Sequence, residues 1–169
     1  ADETLAVEHR VTFALDERGD YRMQGVIDRL VRAPDGAIEI HDYKTSARAP
    51  SQRQLDADRQ LALYQIGVTR NGAADRDTEV RLVWHYLLPD RVRSSTRSAQ
   101  QIEALRRDTV AAIDRIEAAQ AFEARPGPLC SWCEYRERCP ASPHWNGEAE
   151  PAVRTGDATT PAAQLGLFR

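Results

Sequence analysis

Two carboxylates and one ammonium stand in a suggestive setting: Asp28 in Gly25-Val26-Ile27-Asp28-Arg29, and Asp42 with Lys44 in Ile40-His41-Asp42-Tyr43-Lys44-Thr45. A short turn sequence separates the two segments, so they can pair as strands and bring the three charges to one point. Two carboxylates drawn together repel unless a cation sits between them, and oxygen donors suit a hard ion such as Mg²⁺ or Mn²⁺. A lysine two residues beyond one ligand can orient a water or steady negative charge developing on a phosphate. The chemistry this trio suits is metal-dependent cleavage of a phosphodiester. The plainer alternative is an Asp28–Arg29 or Asp42–Lys44 ion pair at a solvated strand end, because Asp-x-Lys alone is a short motif with many chance matches.

The elements that must position these residues follow from periodicity. Ala37 to Lys44 alternates, with Ile38, Ile40, Asp42 and Lys44 on one face and Glu39, His41 and Tyr43 on the other. The apolar face thus turns ionic at its carboxyl end. Val26, Asp28 and Leu30 are expected to share a face in the preceding strand, so Asp28 interrupts an apolar row. Burying a lone carboxylate is costly, and a partner charge or metal removes much of the cost. Glu17-Arg18-Gly19-Asp20 and Ala33-Pro34-Asp35-Gly36 are turn sequences that would close hairpins around these strands.

Further along, Gln54 to Asn71 reads as a helix with Ala57, Leu61, Tyr64 and Val68 in one stripe. Gln60 and Tyr64 lie one turn apart, so amide and phenol can reach the same spot. Glu79 to Leu87 suits another core strand after a helical crossover. Ser98 caps a long helix expected to run to about Phe122, with Ile102, Leu105, Thr109, Ala112, Ile113 and Ile116 inward. All three cysteines, Cys130, Cys133 and Cys139, fall between Leu129 and Pro140. An odd, clustered set argues against disulfides and towards a metal.

Four features now stand in order: Gly-x-x-Asp, Asp-x-Lys, Gln-x-x-x-Tyr and the distal cysteines. Together they resemble the RecB-like branch of the PD-(D/E)xK nuclease superfamily over about Glu8 to Pro140. The resemblance implies an α/β fold with a restriction-endonuclease-like core: a mixed sheet, made of a three-stranded meander plus a further strand, flanked by helices. It implies Asp28 and Asp42 as metal ligands, the Tyr43 carbonyl as an extra one, and Lys44 as the catalytic lysine. Gln60 and Tyr64 would position the lysine or the DNA backbone. Glu8, one strand earlier, falls where related nucleases carry an acidic residue, although alternation with Arg10 and Thr12 fits a solvated face equally well. In iron–sulfur members, three such cysteines join a remote upstream one around a [4Fe–4S] cluster. Zinc is the rival, since Cys130, Cys133, Cys139 and His144 have the donors of a tetrahedral site.

Composition bounds the partners. The 169 residues suffice for one domain, expected over 1–146 and including the cysteine segment 129–140, with a flexible tail over 147–169. The chain opens almost directly on its first strand, Thr4 to Leu15, without an initiator Met, as a piece lacking its amino-terminal part would. No stretch of about 18 apolar residues crosses a membrane, and no secretory leader is present, so a cytoplasmic location is expected. The net charge of −3 is unusual for a protein that binds DNA. Arg48 and Arg53, flanking the loop after Lys44, are the better candidates for phosphate contacts.

The tail is rich in Pro, Thr, Gly, Ala and Glu, a composition that cannot bury enough surface to order itself. Yet it ends in Gln164-Leu165-Gly166-Leu167-Phe168-Arg169, apolar anchors on a polar tether that suit docking into a partner's pocket. This peptide resembles the motif by which bacterial polymerases and repair proteins bind the replicative sliding clamp. The resemblance implies Leu165, Leu167 and Phe168 in the clamp's apolar pocket and Gln164 at its rim. The expectation is a Mg²⁺- or Mn²⁺-dependent DNase, an exonuclease of recombination or repair, with a helicase as a further conceivable partner. The alternative is an inactive DNA-binding or scaffold module recruited to the clamp.

Overall fold

The computed structural model describes residues 1–142 except Arg76, together with His144 and Gly147. Gln164, Leu165, Leu167 and Phe168 of the clamp-motif expectation lie outside the described residues. The chain forms two compact units, one over Ala1–Arg115 and a second that begins at Ile116.

The first unit is built on a five-stranded sheet in the order β1-β2-β3-β4-β5. Its strands are β1 (Glu3–Ala14), β2 (Arg22–Arg32), β3 (Ile38–Lys44), β4 (Val80–Tyr86) and β5 (Arg91–Thr96). All neighbouring pairs are antiparallel except β3 and β4, which run parallel. A parallel pair needs a crossover, and α1 (Gln52–Asp56) with α2 (Gln60–Arg70) provides it. The helix α3 (Ala99–Glu117) follows β5.

Both hairpins form where the turn sequences place them. The Asp16 carboxylate accepts the N–H groups of Arg18, Asp20 and Tyr21, and Gly19 supplies the left-handed φ of 81° that the turn needs. Ile38 and Ile40 of β3, Leu82 and Trp84 of β4, and Leu61 and Val68 of α2 are buried in one core cluster. The helix can approach β1 because Gly67 has no side chain: a Cβ there would stand 2.6 Å from Phe13 and 2.7 Å from Val11.

Several sequence expectations need correction. Gln54 to Asn71 is not one helix, since the chain breaks at Ala57–Arg59 between α1 and α2. No Gly or Pro marks that break; hydrogen bonds make it. The Asp58 carboxylate accepts the Gln60 N–H at 3.0 Å, and Arg97 donates to the carbonyls of Leu55 and Asp58. Ala57 is accordingly an exposed cap residue and not part of the buried stripe. In β2 the buried face changes phase, so Ile27 is buried while Val26 is 38% exposed. Ile27 and Leu30 then join the same core, which strict alternation forbids. The irregularity lies across from Asp28, where Glu8 sits between the Val7–Arg29 and His9–Ile27 pairs with φ of 47°.

The remaining differences concern the carboxyl-terminal half. Arg91–Thr96 is a strand that carries little apolar sequence, and only Ser95 in it is buried. The helix α3 starts with the expected cap: Ser98 and Gln101 exchange side-chain and backbone hydrogen bonds. Ile102, Leu105 and Ile113 pack on the core, but Ile116 is 60% exposed and the helix ends at Glu117. Ala118, Ala119 and Ala121 offer little surface to hold a further turn. Among the described residues no helix is long and apolar enough to cross a membrane.

In the second unit, a 3₁₀ helix spans Pro128–Trp132, followed by i to i+3 turns bonded through Cys133, Arg136 and Arg138. Cys130 lies within the 3₁₀ helix, and Cys133, in extended backbone just after it, donates its N–H to the Cys130 carbonyl.

Candidate active site

β2 and β3 bring the charges together at their shared end. Their ladder runs Arg32–Ile38 to Arg29–His41, and continuing its register one step sets Asp28 opposite Asp42. At that step the regular bond is replaced: Tyr43 N–H donates to Asp28 Oδ2 at 2.8 Å. Arg29 does not pair with Asp28; its guanidinium donates to the Thr4 hydroxyl instead. The solvated Asp28–Arg29 pair is therefore not what this strand end contains.

Asp42 is 7% exposed, on the face that Ile38 and Ile40 share. Lys44 Nζ lies 2.8 Å from its Oδ2 and donates a hydrogen bond to its Oδ1 at 3.1 Å. The shorter contact has charge attraction but not hydrogen-bond geometry, and Oδ2 is a buried acceptor with no hydrogen-bond donor. A buried carboxylate oxygen that accepts no hydrogen bond and is met only by the Lys44 ammonium, beside a second carboxylate, fits a hard divalent cation. Burial pushes the Asp42 carboxyl above its ordinary value; Lys44 opposes this, and the charges of Asp28 and Asp58 add to it. Burial by itself would lower Lys44, yet its bond and attraction to Asp42, with Asp58 and Asp28 behind them, hold it above the ordinary lysine value. The two directions agree physically: Asp42 is the more enclosed partner, so desolvation governs it, whereas at half-open Lys44 the Asp42 bond and the surrounding negative charges together outweigh the burial.

Helix α2 supplies the next shell. Lys44 Nζ donates to Gln60 Oε1 at 3.1 Å, so the ammonium is held between an amide and a carboxylate. Gln60 Nε2 approaches the Tyr64 hydroxyl at 3.5 Å. The Tyr64 ring lies against β2 at Gly25, where an added Cβ would stand 2.3 Å from Cε1. Glycine three residues before Asp28 thus leaves room for the phenol. Glu8 is exposed on β1 across from Asp28, and Arg48 and Arg53 are exposed beyond Lys44.

Sequence reasoning missed Asp58, whose charge acts on both Asp42 and Lys44. The unmarked helix break hid it. On the opposite face of β3, His41 Nδ1 meets His85 Nε2 at 2.7 Å, His41 Nε2 meets Glu39 at 3.1 Å, and Tyr43 stacks on His85. Those contacts brace the strand from behind.

In the second unit, Cys130, Cys133 and Cys139 line one cavity of about 190 Å³ with Arg125 and Arg136, and His144 is not among its lining residues. Gly127 N–H donates to Cys130 Sγ at 3.3 Å. Among the described residues no group of three or more His, Cys, Asp or Glu is drawn close enough to hold a single metal ion.

A mixed sheet with flanking helices, and an Asp/Asp/Lys end to two of its strands, define a restriction-endonuclease-like core. The family model described as the PD-(D/E)XK nuclease superfamily matches residues 2–140, and the chain belongs to that superfamily. Among solved structures, the chain in "Crystal structure of SSO0001" is similar at 20% identity and a TM-score of 0.46. The similarity covers 83% of this chain and 61% of that one. No curated protein matches.

Proposed function

We propose that the protein is a Mg²⁺- or Mn²⁺-dependent deoxyribonuclease, acting as an exonuclease in recombination or repair. The observation that carries this reading is the buried Asp42 carboxylate held against Lys44 Nζ, with an Oδ2 that accepts no hydrogen bond, at the strand end where Asp28 faces Asp42. Asp28, Asp42 and the Tyr43 carbonyl hold the ion, which when bound supplies positive charge to the scissile phosphate. Glu8 is a further candidate from β1. Lys44 donates to a phosphate oxygen or orients the attacking water, and Gln60 fixes the direction of its ammonium. Tyr64 sets the position of Gln60, and Arg48 and Arg53 are placed to meet DNA phosphates.

The cysteines extend the reading. Cys130, Cys133 and Cys139 supply three thiolates of a structural [4Fe–4S] cluster, whose fourth ligand is another residue. Two observations support this: the three thiols share a cavity, and Cys130 Sγ already accepts a backbone N–H, as cluster ligands do. Iron with absorbance near about 400 nm is expected; a colourless protein with stoichiometric zinc contradicts it. Residues 164–168 are proposed to dock on a sliding clamp, and their deletion should abolish that binding.

Cleavage of end-labelled linear DNA in Mg²⁺ tests the reading. The wild-type protein should degrade it, while Lys44→Ala should keep its fold and lose activity. Undiminished cleavage by Lys44→Ala refutes the assignment. DNA binding without turnover by the wild type supports the alternative, an inactive DNA-binding or scaffold module, for which the net charge of −3 speaks and against which the Asp42-x-Lys44 pair speaks.

A further inference from the structure

Arg97, between β5 and α3, touches none of the acidic residues proposed to bind metal, yet one end of its guanidinium is spent on the α1–α2 break and the other on β5. Nη2 donates to the Leu55 carbonyl at 2.7 Å and to the Asp58 carbonyl at 3.2 Å. Nη1 donates to the Thr96 carbonyl at 2.9 Å and to the Ser95 hydroxyl. Ser95 in turn donates to Asp56 Oδ1 at 2.6 Å, and Gln52 bridges the same Asp56 oxygen to the Ser94 carbonyl. One planar cation therefore ties β5 to the Leu55 carbonyl near the end of α1 and to the Asp58 carbonyl within the break.

What the break positions is the site. Asp58 receives the Gln60 N–H through its carboxylate, and Gln60 Oε1 receives Lys44 Nζ. A continuous helix through 57–59 would carry Gln60 to another height and azimuth, because each inserted helical residue turns the chain by about 100°. We propose that Arg97 is a positioning residue for cleavage: it fixes the α1–α2 break so that Gln60 meets Lys44. The inference rests on the nuclease reading above. It is particular to arginine, since lysine offers a single compact donor centre and cannot serve acceptors fanned across a guanidinium plane.

The test is a cycle of Arg97→Lys, Gln60→Ala and the double variant, measured by steady-state cleavage of linear DNA in saturating Mg²⁺. Arg97→Lys is expected to lower kcat by roughly 10- to 100-fold, with KM for DNA within about twofold of wild type. Because both residues act through one ammonium, the double variant should be within about threefold of the worse single variant. Multiplicative losses, an unchanged kcat, or a raised KM with kcat intact each overturn the proposal. Should Arg97→Lys fail to fold, Ser95→Ala loosens the same clamp and must give a smaller kcat loss of the same kind; full kcat in Ser95→Ala then overturns it. A wild-type protein without cleavage removes the nuclease reading itself, whereas active wild type with unaffected Arg97→Lys removes this inference alone.

Discussion

Gly25→Ala is a single methyl group placed where it must disturb the site without touching any charged residue. The new Cβ would stand 2.3 Å from Tyr64 Cε1, 3.0 Å from Cζ and 3.1 Å from the hydroxyl. Carbon atoms in contact sit about 3.5–4.0 Å apart, so the ring must retreat by more than about 1 Å. The Tyr64–Gln60 contact is already long at 3.5 Å and cannot survive that movement. Overpacking costs about 1–3 kcal/mol, against which alanine in a strand regains about 0.5–1 kcal/mol over glycine. The expected net loss is therefore about 1–2 kcal/mol in urea unfolding. Cleavage should fall by roughly tenfold or more as Gln60 loses its support. The decisive control is Tyr64→Ala. In that background the same Gly25→Ala change should be neutral or stabilising by up to about 1 kcal/mol, because the clash is gone. An equal cost in both backgrounds refutes the packing argument.

Other outcomes follow from the same geometry. Gly67→Ala forces a Cβ to within 2.6–2.8 Å of Phe13 and Val11, and should lower stability by about 1–3 kcal/mol while the remaining folded protein keeps its kcat; equilibrium unfolding and rates per folded molecule check this. Burial holds His41 below the ordinary histidine value, the neighbouring His85 charge adds to it, and Glu39 opposes. The unfolded chain then binds that proton more readily, so the contribution is complete above pH 6.5 and is lost as pH falls towards the folded pKa. The urea midpoint should drop across that window and drop less in His41→Gln; an unchanged slope speaks against the burial argument.

The site was legible because its chemistry is written in short-range spacing. Period-two alternation puts Asp42 and Lys44 on the face of Ile38 and Ile40, and the turn at Ala33–Gly36 sets the β2–β3 register that opposes Asp28 to Asp42. Gln60 and Tyr64 were legible as a one-turn pair. What escaped depends mostly on long-range bonds, beside one short-range cue, the Asp58 carboxylate that accepts the Gln60 N–H. The α1–α2 break has no Gly or Pro, being made by Arg97, which lies 39 residues from Asp58. Asp58 consequently looked like one more charge on a helix. β5 lacks an apolar row because most of its side chains are exposed, so periodicity had nothing to report. The phase change in β2 lies across from Glu8, whose φ of 47° belongs to another strand. Gly25 was recognised as part of a motif, but its reason, the ring of Tyr64, needed the packed structure.

Binding of Mn²⁺, measured by calorimetry near neutral pH on the wild type, Asp28→Asn and Asp42→Asn, addresses the central claim most directly. A shared ion at the β2–β3 end predicts a site in the wild type that weakens at least tenfold when either carboxylate is neutralised, a loss of about 1.4 kcal/mol or more. Affinity should also fade on acidification sooner than for an ordinary carboxylate site, since burial keeps the Asp42 proton bound to higher pH. Unaltered Mn²⁺ affinity in both variants would contradict the account.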